Sequence, residues 1–141
     1  MWDGTAFSGT KVALIHDGHI VAYLRDDKPD IPFPGMWDLP GGGREGDEAP
    51  ITGGLREVEE EFGLKLNPSD MILIERHPST SGGLDTYFCA MFLGHDDIAR
   101  IRFGNEGQCW ELMPLLDFVR HEDAVPQLKD RLRAAMETGI I

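Results

Sequence analysis

Three glutamates between residues 52 and 62 have the spacing of a metal site. Glu57, Glu60 and Glu61 stand at positions i, i+3 and i+4, so on a helix they are surface neighbours. Like charges that close repel one another, so stability alone explains them poorly. Hard cations such as Mg²⁺ take carboxylate oxygens and complete their coordination with water and substrate phosphates. The spacing favours a cation site, and a solvated acidic face is the alternative interpretation.

A helix has to position these carboxylates. On a helical wheel Leu55, Val58 and Phe62 fall within a sector of roughly 60°, nearly opposite the glutamates. We therefore predict a helix over residues 52–62 that packs through this apolar stripe. Gly63 follows as the predicted C-cap.

Glycines accompany the carboxylates. Gly53 and Gly54 share the acidic face, although each glycine in a helix interior costs about 1 kcal/mol relative to alanine. We interpret the pair as leaving room for a ligand. A glycine run also precedes the helix, where backbone can approach a ligand closely. We expect this run, Pro40–Gly43, to interrupt regular structure.

The remaining pattern mixes strands and helices. Two apolar runs around Asp17-Gly18 predict a β-hairpin over residues 11–24. Further elements are a proline-rich loop at 26–36, an extended piece at 37–39, strands at 71–75, 86–93 and 108–113, a loop at 79–83 and a helix at 124–136. This order predicts an α+β fold or a mixed sheet with a helix on each face.

Length and charge narrow the class of protein. The 141 residues predict one domain over 1–141. Thirteen basic residues against 25 acidic ones give a net charge of −12, which argues against a nucleic acid polymer as partner. No apolar stretch approaches the roughly 18 residues of a membrane span. The N-terminus lacks the pattern of a signal peptide, so we expect a cytoplasmic protein without a membrane partner.

The segment 42–64 resembles the sequence box of the Nudix hydrolase family, and of its MutT-like members in particular. The box reads G-x5-E-x7-R-E-U-x-E-E-x-G-U, where U is a bulky apolar residue. A motif with this many fixed positions is a specific signal. Residues 33–40 resemble the lead-in of many members, and 106–112 resemble a later segment of MutT-like members. The chain fills the fixed positions with Gly42, Glu48, Arg56, Glu57, Val58, Glu60, Glu61, Gly63 and Leu64.

The resemblance implies a fold and a reaction. The fold would be the Nudix α/β/α sandwich with a central mixed β-sheet. The reaction would be hydrolysis of a diphosphate linkage in a nucleoside diphosphate derivative, with Mg²⁺ as cofactor and Mn²⁺ as a substitute. Such chemistry needs charge neutralisation and in-line positioning.

The resemblance also implies roles for individual residues. Glu57, Glu60 and Glu61 would bind the metal, with the Gly42 carbonyl as a further ligand. The general base stays open among Glu60, Glu61 and Glu106, and Glu106 has a turn residue as its alternative interpretation.

Other residues would support the site or contact the substrate. Arg56 would fix Glu57 or a neighbouring carboxylate through its planar fork, while Glu48 and Gly63 would support the loop and helix. Arg25 could reach a phosphate or be a surface arginine. Phe33 and Trp37 could stack on a base, with structural packing the favoured interpretation for Trp37.

Three hypotheses for the function follow. The first is a MutT-like nucleoside triphosphate pyrophosphohydrolase. The second is an ADP-ribose or nucleotide-sugar pyrophosphatase, and the third is a nucleotide-binding module without catalysis. The partner is a small nucleotide-type molecule in each case, and the protein could be a monomer or a homodimer.

Overall fold

The computed structural model describes residues 2–79 and 82–141. Its sheet begins with the predicted hairpin, in which β1 (Phe7–His16) pairs antiparallel with β2 (His19–Leu24). Asp17 and Gly18 have φ values of 48° and 74°. A two-residue turn with two positive φ angles matches the twist of the strands it joins, which explains the Asp-Gly pair.

Five further strands complete a mixed sheet. Along the order β3-β2-β1-β6-β5, only β1 and β6 run parallel, while β4 pairs with β1 and β7 pairs with β2. These strands are β3 (Trp37–Asp38), β4 (Gly41–Gly43), β5 (Leu73–His77), β6 (Asp85–Phe92) and β7 (Cys109–Pro114).

Helices cover both faces of this sheet. The helices are α1 (Pro50–Phe62), α2 (His95–Ala99), α3 (Leu115–Arg120) and α4 (Pro126–Glu137), with a 3₁₀ turn at Pro68–Asp70. One buried cluster joins α1 to residues such as Val12 and Leu14 of β1. The other joins α3 and α4 to Ala13 and Ile15, the alternating residues of the same strand. The predicted α/β/α sandwich is confirmed.

Several predicted boundaries are wrong, most clearly at the glycine run. Gly41–Gly43 forms β4 instead of interrupting the structure, with Gly42 opposite Thr10 of β1. The last helix begins at Pro126, because Val125 is extended and proline is favoured in a first helical turn. The short helices α2 and α3 were not predicted. The loop predicted at 79–83 lies partly outside the described residues.

The interpretation of Gly53 and Gly54 is also wrong. Both glycines are buried. A Cβ on Gly54 would lie 2.9 Å from side-chain methyl groups of Thr10 and Val12, and a Cβ on Gly53 would lie 2.8 Å from a carboxylate oxygen of Glu48. The glycines therefore allow α1 to pack closely on β1 and on the preceding loop.

In the described ranges, none of the helices has the length and apolar character needed to cross a bilayer.

Candidate active site

Helix α1 carries its carboxylates beside strand β4. Leu55, Val58 and Phe62 of the predicted stripe are buried against the sheet, and Glu57 and Glu61 contact β4 beside this stripe. The helix ends at Gly63, whose φ is 68° and whose amide donates to the Glu59 carbonyl. A left-handed residue at this position is the common C-cap for which glycine is suited.

Arg56 is the centre of the acidic face. Its guanidinium donates to both carboxylate oxygens of Glu48, at 2.8 and 3.1 Å, and to Glu57 at 3.0 Å. It also lies 3.3 Å from both oxygens of Glu60 and 3.0 Å from the Gly43 carbonyl. Hydrogen bonding from Arg56 lowers the pKa of Glu48 below its ordinary value. One side chain thus ties α1 to the preceding loop and to β4.

Glu61 points toward the sheet. Its Oε1 accepts a hydrogen bond of 2.8 Å from the Gly41 amide. Burial raises the pKa of Glu61 to about 7, although that hydrogen bond and the charge of Lys11 act in the opposite direction. Glu61 is therefore fixed on β4, whereas the side chain of Glu60 is 57% exposed.

Strand β4 and Glu57 are in direct contact. A Cβ on Gly42 would come within 2.7 Å of the carboxylate carbon of Glu57. The Gly42 carbonyl oxygen lies beside Gly9 of β1, where a Cβ would be 2.5 Å from it. A side chain at residue 42 would displace the Glu57 carboxylate from its present position beside Arg56.

The donor chemistry fits a hard cation. Carboxylates from one helix face stand beside a backbone strand, and such oxygen donors suit Mg²⁺ or Mn²⁺. Within ranges 2–79 and 82–141, no three His, Cys, Asp or Glu side chains converge as metal ligands. The three glutamates do not converge because each has another partner. Glu57 and Glu60 contact Arg56, and Glu61 contacts Gly41. Glu60 would have to leave Arg56 to join a shared ion.

A buried carboxylate that the sequence did not reveal lies on the other side of β4. Asp38 is 2% exposed and accepts from Lys11 at 3.0 Å, Arg25 at 2.8 Å and the Tyr23 hydroxyl at 3.1 Å. Its second oxygen accepts from the Leu39 amide at 2.7 Å. Arg25, predicted as a phosphate ligand or a surface residue, is thus paired with a buried acid. These partners come from β1, β2 and β3, so no sequence spacing marks them.

A cavity of about 350 Å³ opens beside Gly42 and Gly43. Asp38 and Lys11 line it at the sheet, and Val125 and Leu128 line it at α4. Phe33 also lines the cavity and has a φ of 49°, a conformation that a non-glycine residue rarely adopts. The structure therefore brings Phe33 and the box glycines to one ligand-sized space.

Two other predicted residues lie apart from this cavity. The amide of Trp37 donates to the Asp123 carbonyl at 2.7 Å, and its ring packs on the core beneath α4. Glu106 lines a different cavity of about 310 Å³ together with Arg25 and Lys28. The loop carrying Glu106 contacts the end of α1, where the Gly104 amide donates to the Glu61 carbonyl at 2.9 Å.

Comparison with known proteins supplies a family and a set of related folds. The family model described as the NUDIX domain matches residues 9–135. A MutT-like protein of Streptomyces ambofaciens is 40% identical over 60 residues, which cover 43% of this chain and 35% of that protein. The alignment thus spans about a third of that relative.

Solved structures with the same fold share little sequence with the chain. A MutT protein from Methanosarcina mazei Go1 superimposes with a TM-score of 0.73 at 18% identity, covering 99% of each chain. A bifunctional NMN adenylyltransferase/ADP ribose pyrophosphatase from Francisella tularensis, complexed with AMP and a Mn ion, gives 0.74 at 17%, covering 96% of this chain and 42% of the other. A C. elegans Ap4A hydrolase gives 0.68 at 16%, covering 95% and 99%.

Proposed function

This chain belongs to the Nudix family as a MutT-like member, and we propose that it is a Mg²⁺-dependent pyrophosphohydrolase of nucleoside triphosphates. The observation that carries the proposal is the acidic face of α1, joined through Arg56 to a strand of glycines. The triphosphate is the substrate suggested by the MutT-like relative and by the resemblance of residues 106–112 to MutT-like members. Metal dependence follows from the family.

Glu57, Glu60 and Glu61 are the residues that would hold the ion. A bound divalent cation would neutralise phosphate charge and lower the pKa of a coordinated water. Glu57 is held by Arg56 and Glu61 by the Gly41 amide, so these two carboxylates are already oriented. Glu60 is the exposed member and is free to turn toward an incoming ligand. Arg56 acts as a positioning residue, because it holds Glu48, Glu57 and β4 in one arrangement.

The cavity beside β4 would take the nucleoside. It borders Gly42 and Gly43, so a nucleoside in it would direct its phosphates along β4 toward α1. Phe33 offers an aromatic face at the same cavity, and base stacking on aromatic rings is favourable. Arg25 would shape the cavity wall, since it donates to the Pro32 carbonyl at 2.8 Å as well as to Asp38.

A substrate panel tests this proposal. Purified protein with Mg²⁺ is offered nucleoside triphosphates, ADP-ribose and dinucleoside polyphosphates, and the nucleotide products are separated and measured by chromatography. We expect turnover of triphosphates and none in the presence of EDTA. Turnover confined to ADP-ribose would replace the proposal with the sugar-nucleotide alternative. Lack of turnover on the whole panel would remove the enzyme assignment.

Matched variants test the carboxylates. Glu60→Gln and Glu61→Gln should lower kcat by on the order of 100-fold or more, because the ion supplies several kcal/mol of charge stabilisation. Glu59→Gln is the control, since Glu59 is exposed on the same helix. Equal rates in all three variants would show that the reaction does not use this face.

A further inference from the structure

One of the basic side chains that line the cavity beside β4 has no hydrogen-bond or ion-pair partner among the described residues. Three basic side chains line the cavity, and Lys11 and Arg25 both pair with Asp38. Arg131 of α4 has neither a hydrogen bond nor an ion pair within the described ranges. Burial lowers the pKa of its guanidinium, which the charge of Glu75 partly offsets. An unpaired guanidinium at a cavity wall can donate to a ligand that enters, and a hydrogen bond from a charged group is worth more than one between neutral groups.

Arg131 belongs to the wall of the cavity that α4 provides, whereas Gly42 and Gly43 of β4 belong to the sheet. It lies on the face of α4 that also carries Gln127 and Leu128, and these three residues line the space opposite Gly42 and Gly43. Side chains on a helix lean toward its N-terminus, which brings the guanidinium toward Gln127. A nucleoside whose phosphates lie at β4 would therefore place its base near Arg131.

The sheet side of the same space also contains an unpaired polar group. The buried hydroxyl of Thr86 in β6 has no hydrogen-bond partner among the residues that the structure describes. It lies on the face of β6 that carries Phe88 and Ala90, which pack beneath α4. Thr86, Gln127 and Arg131 thus gather polar groups on one part of the cavity wall, and all three also border a neighbouring cavity.

We propose that Arg131 binds O6 of a purine or O4 of a pyrimidine, so that the enzyme prefers guanine, hypoxanthine and uracil nucleotides to adenine and cytosine nucleotides, which carry an amino group at that position. The inference rests on the proposed function, because it takes the cavity as the nucleoside site. Arginine has five donors and no acceptor. A keto base presents an oxygen acceptor, joined in purines by N7, where an amino base presents a donor. Gln127 has both a donor and an acceptor, so Arg131 is the residue that discriminates.

Equilibrium binding of nucleoside 5′-monophosphates tests the inference without turnover. Dissociation constants for GMP, IMP and UMP are compared with those for AMP and CMP by calorimetry. A good base contact from arginine corresponds to a preference of roughly 5- to 150-fold, which we expect for the wild-type protein. Arg131→Gln should abolish this preference by weakening only the keto ligands. Arg131→Lys keeps a charge without the planar fork and should leave a smaller preference.

Arg133→Gln is the matched control. Arg133 lies on the same helix but pairs with Asp130 at 3.3 Å and lines no part of this cavity. It should bind all five ligands as the wild type does, and melting temperatures of all variants report on folding. Equal binding of both base classes by the wild type, or a preference that survives Arg131→Gln, would overturn the inference. A binding preference without hydrolysis of any triphosphate would instead overturn the proposed function alone.

Discussion

Two charge clusters near β4 have opposite composition. One has a cation at its centre and the other has an anion. At Arg56 one cation is surrounded by acidic groups, with Glu45 at 3.5 Å in addition to Glu48, Glu57 and Glu60. At Asp38 one anion is surrounded by Lys11, Arg25 and the Tyr23 hydroxyl. The Arg56 cluster (the open cluster) is partly exposed and has excess negative charge. The Asp38 cluster (the closed cluster) surrounds a buried carboxylate, and Asp38, Lys11 and Arg25 also line the cavity. The difference suggests that the first can accept a further cation, while the second is structural.

The largest effect is expected at the closed cluster. Asp38→Asn removes the buried charge that Lys11 and Arg25 face, and breaking a buried charge pair from one side costs about 3–5 kcal/mol. Urea unfolding should show a loss of stability of this size. Asp30→Asn is the control, because Asp30 is exposed in the loop between β2 and β3. A loss below about 1 kcal/mol would mean that the Asp38 cluster is not structural.

The strand between the clusters should give the next largest effect. Gly42→Ala would place a methyl group 2.7 Å from the carboxylate carbon of Glu57, so this flexible side chain must move, at the lower end of the range of about 1–3 kcal/mol that is typical of overpacking. The displaced carboxylate should also lower kcat. Gly43→Ala is the matched control, because its nearest neighbour would lie 3.8 Å away. Equal losses in the two variants would contradict the assigned contact between β4 and Glu57.

Arg56→Gln should have a smaller effect that depends on metal. The variant leaves Glu48, Glu57 and Glu60 without their shared cation, and hydrogen bonds to charged groups are worth about 1.5–3 kcal/mol when buried and less at a partly exposed site such as this one. Melting curves should show a greater loss in EDTA than in Mg²⁺, because an ion bound to the carboxylates replaces part of the missing charge. The same loss in both buffers would show that Arg56 and the ion do not share these ligands.

The smallest stability effect is expected for Glu60→Gln. Its side chain is exposed and its contacts with Arg56 are 3.3 Å long, and such surface pairs contribute about 0–1 kcal/mol. The variant should melt near the wild-type temperature in EDTA but lose the rise in melting temperature that Mg²⁺ gives the wild type. Glu59→Gln should keep that rise. Retention of the rise in Glu60→Gln would remove Glu60 from the metal site.

The open cluster was predictable from sequence, whereas the closed one was not. Helical periodicity identifies the stripe of Leu55, Val58 and Phe62, and local spacing identifies the glutamates, because both depend on residues within one element. Asp38 depends on pairing between three strands, which no spacing encodes. The two helix glycines were misinterpreted for a related reason. Their neighbours, Thr10 and Glu48, belong to other elements, so the helical wheel showed a free surface where there is packing.

The link between β3 and the start of α4 has a consequence for the order of synthesis. The Trp37 amide donates to the Asp123 carbonyl, and the Val125 amide donates to the Trp37 carbonyl at 3.0 Å. Residue 37 is synthesised before α1, but its partners and the cavity wall at Leu128 are synthesised after α1. Domains fold as units during synthesis, so a nascent chain that already contains the whole of α1 still lacks its nucleoside cavity. Binding of nucleotide should appear only when residues 123–131 have emerged.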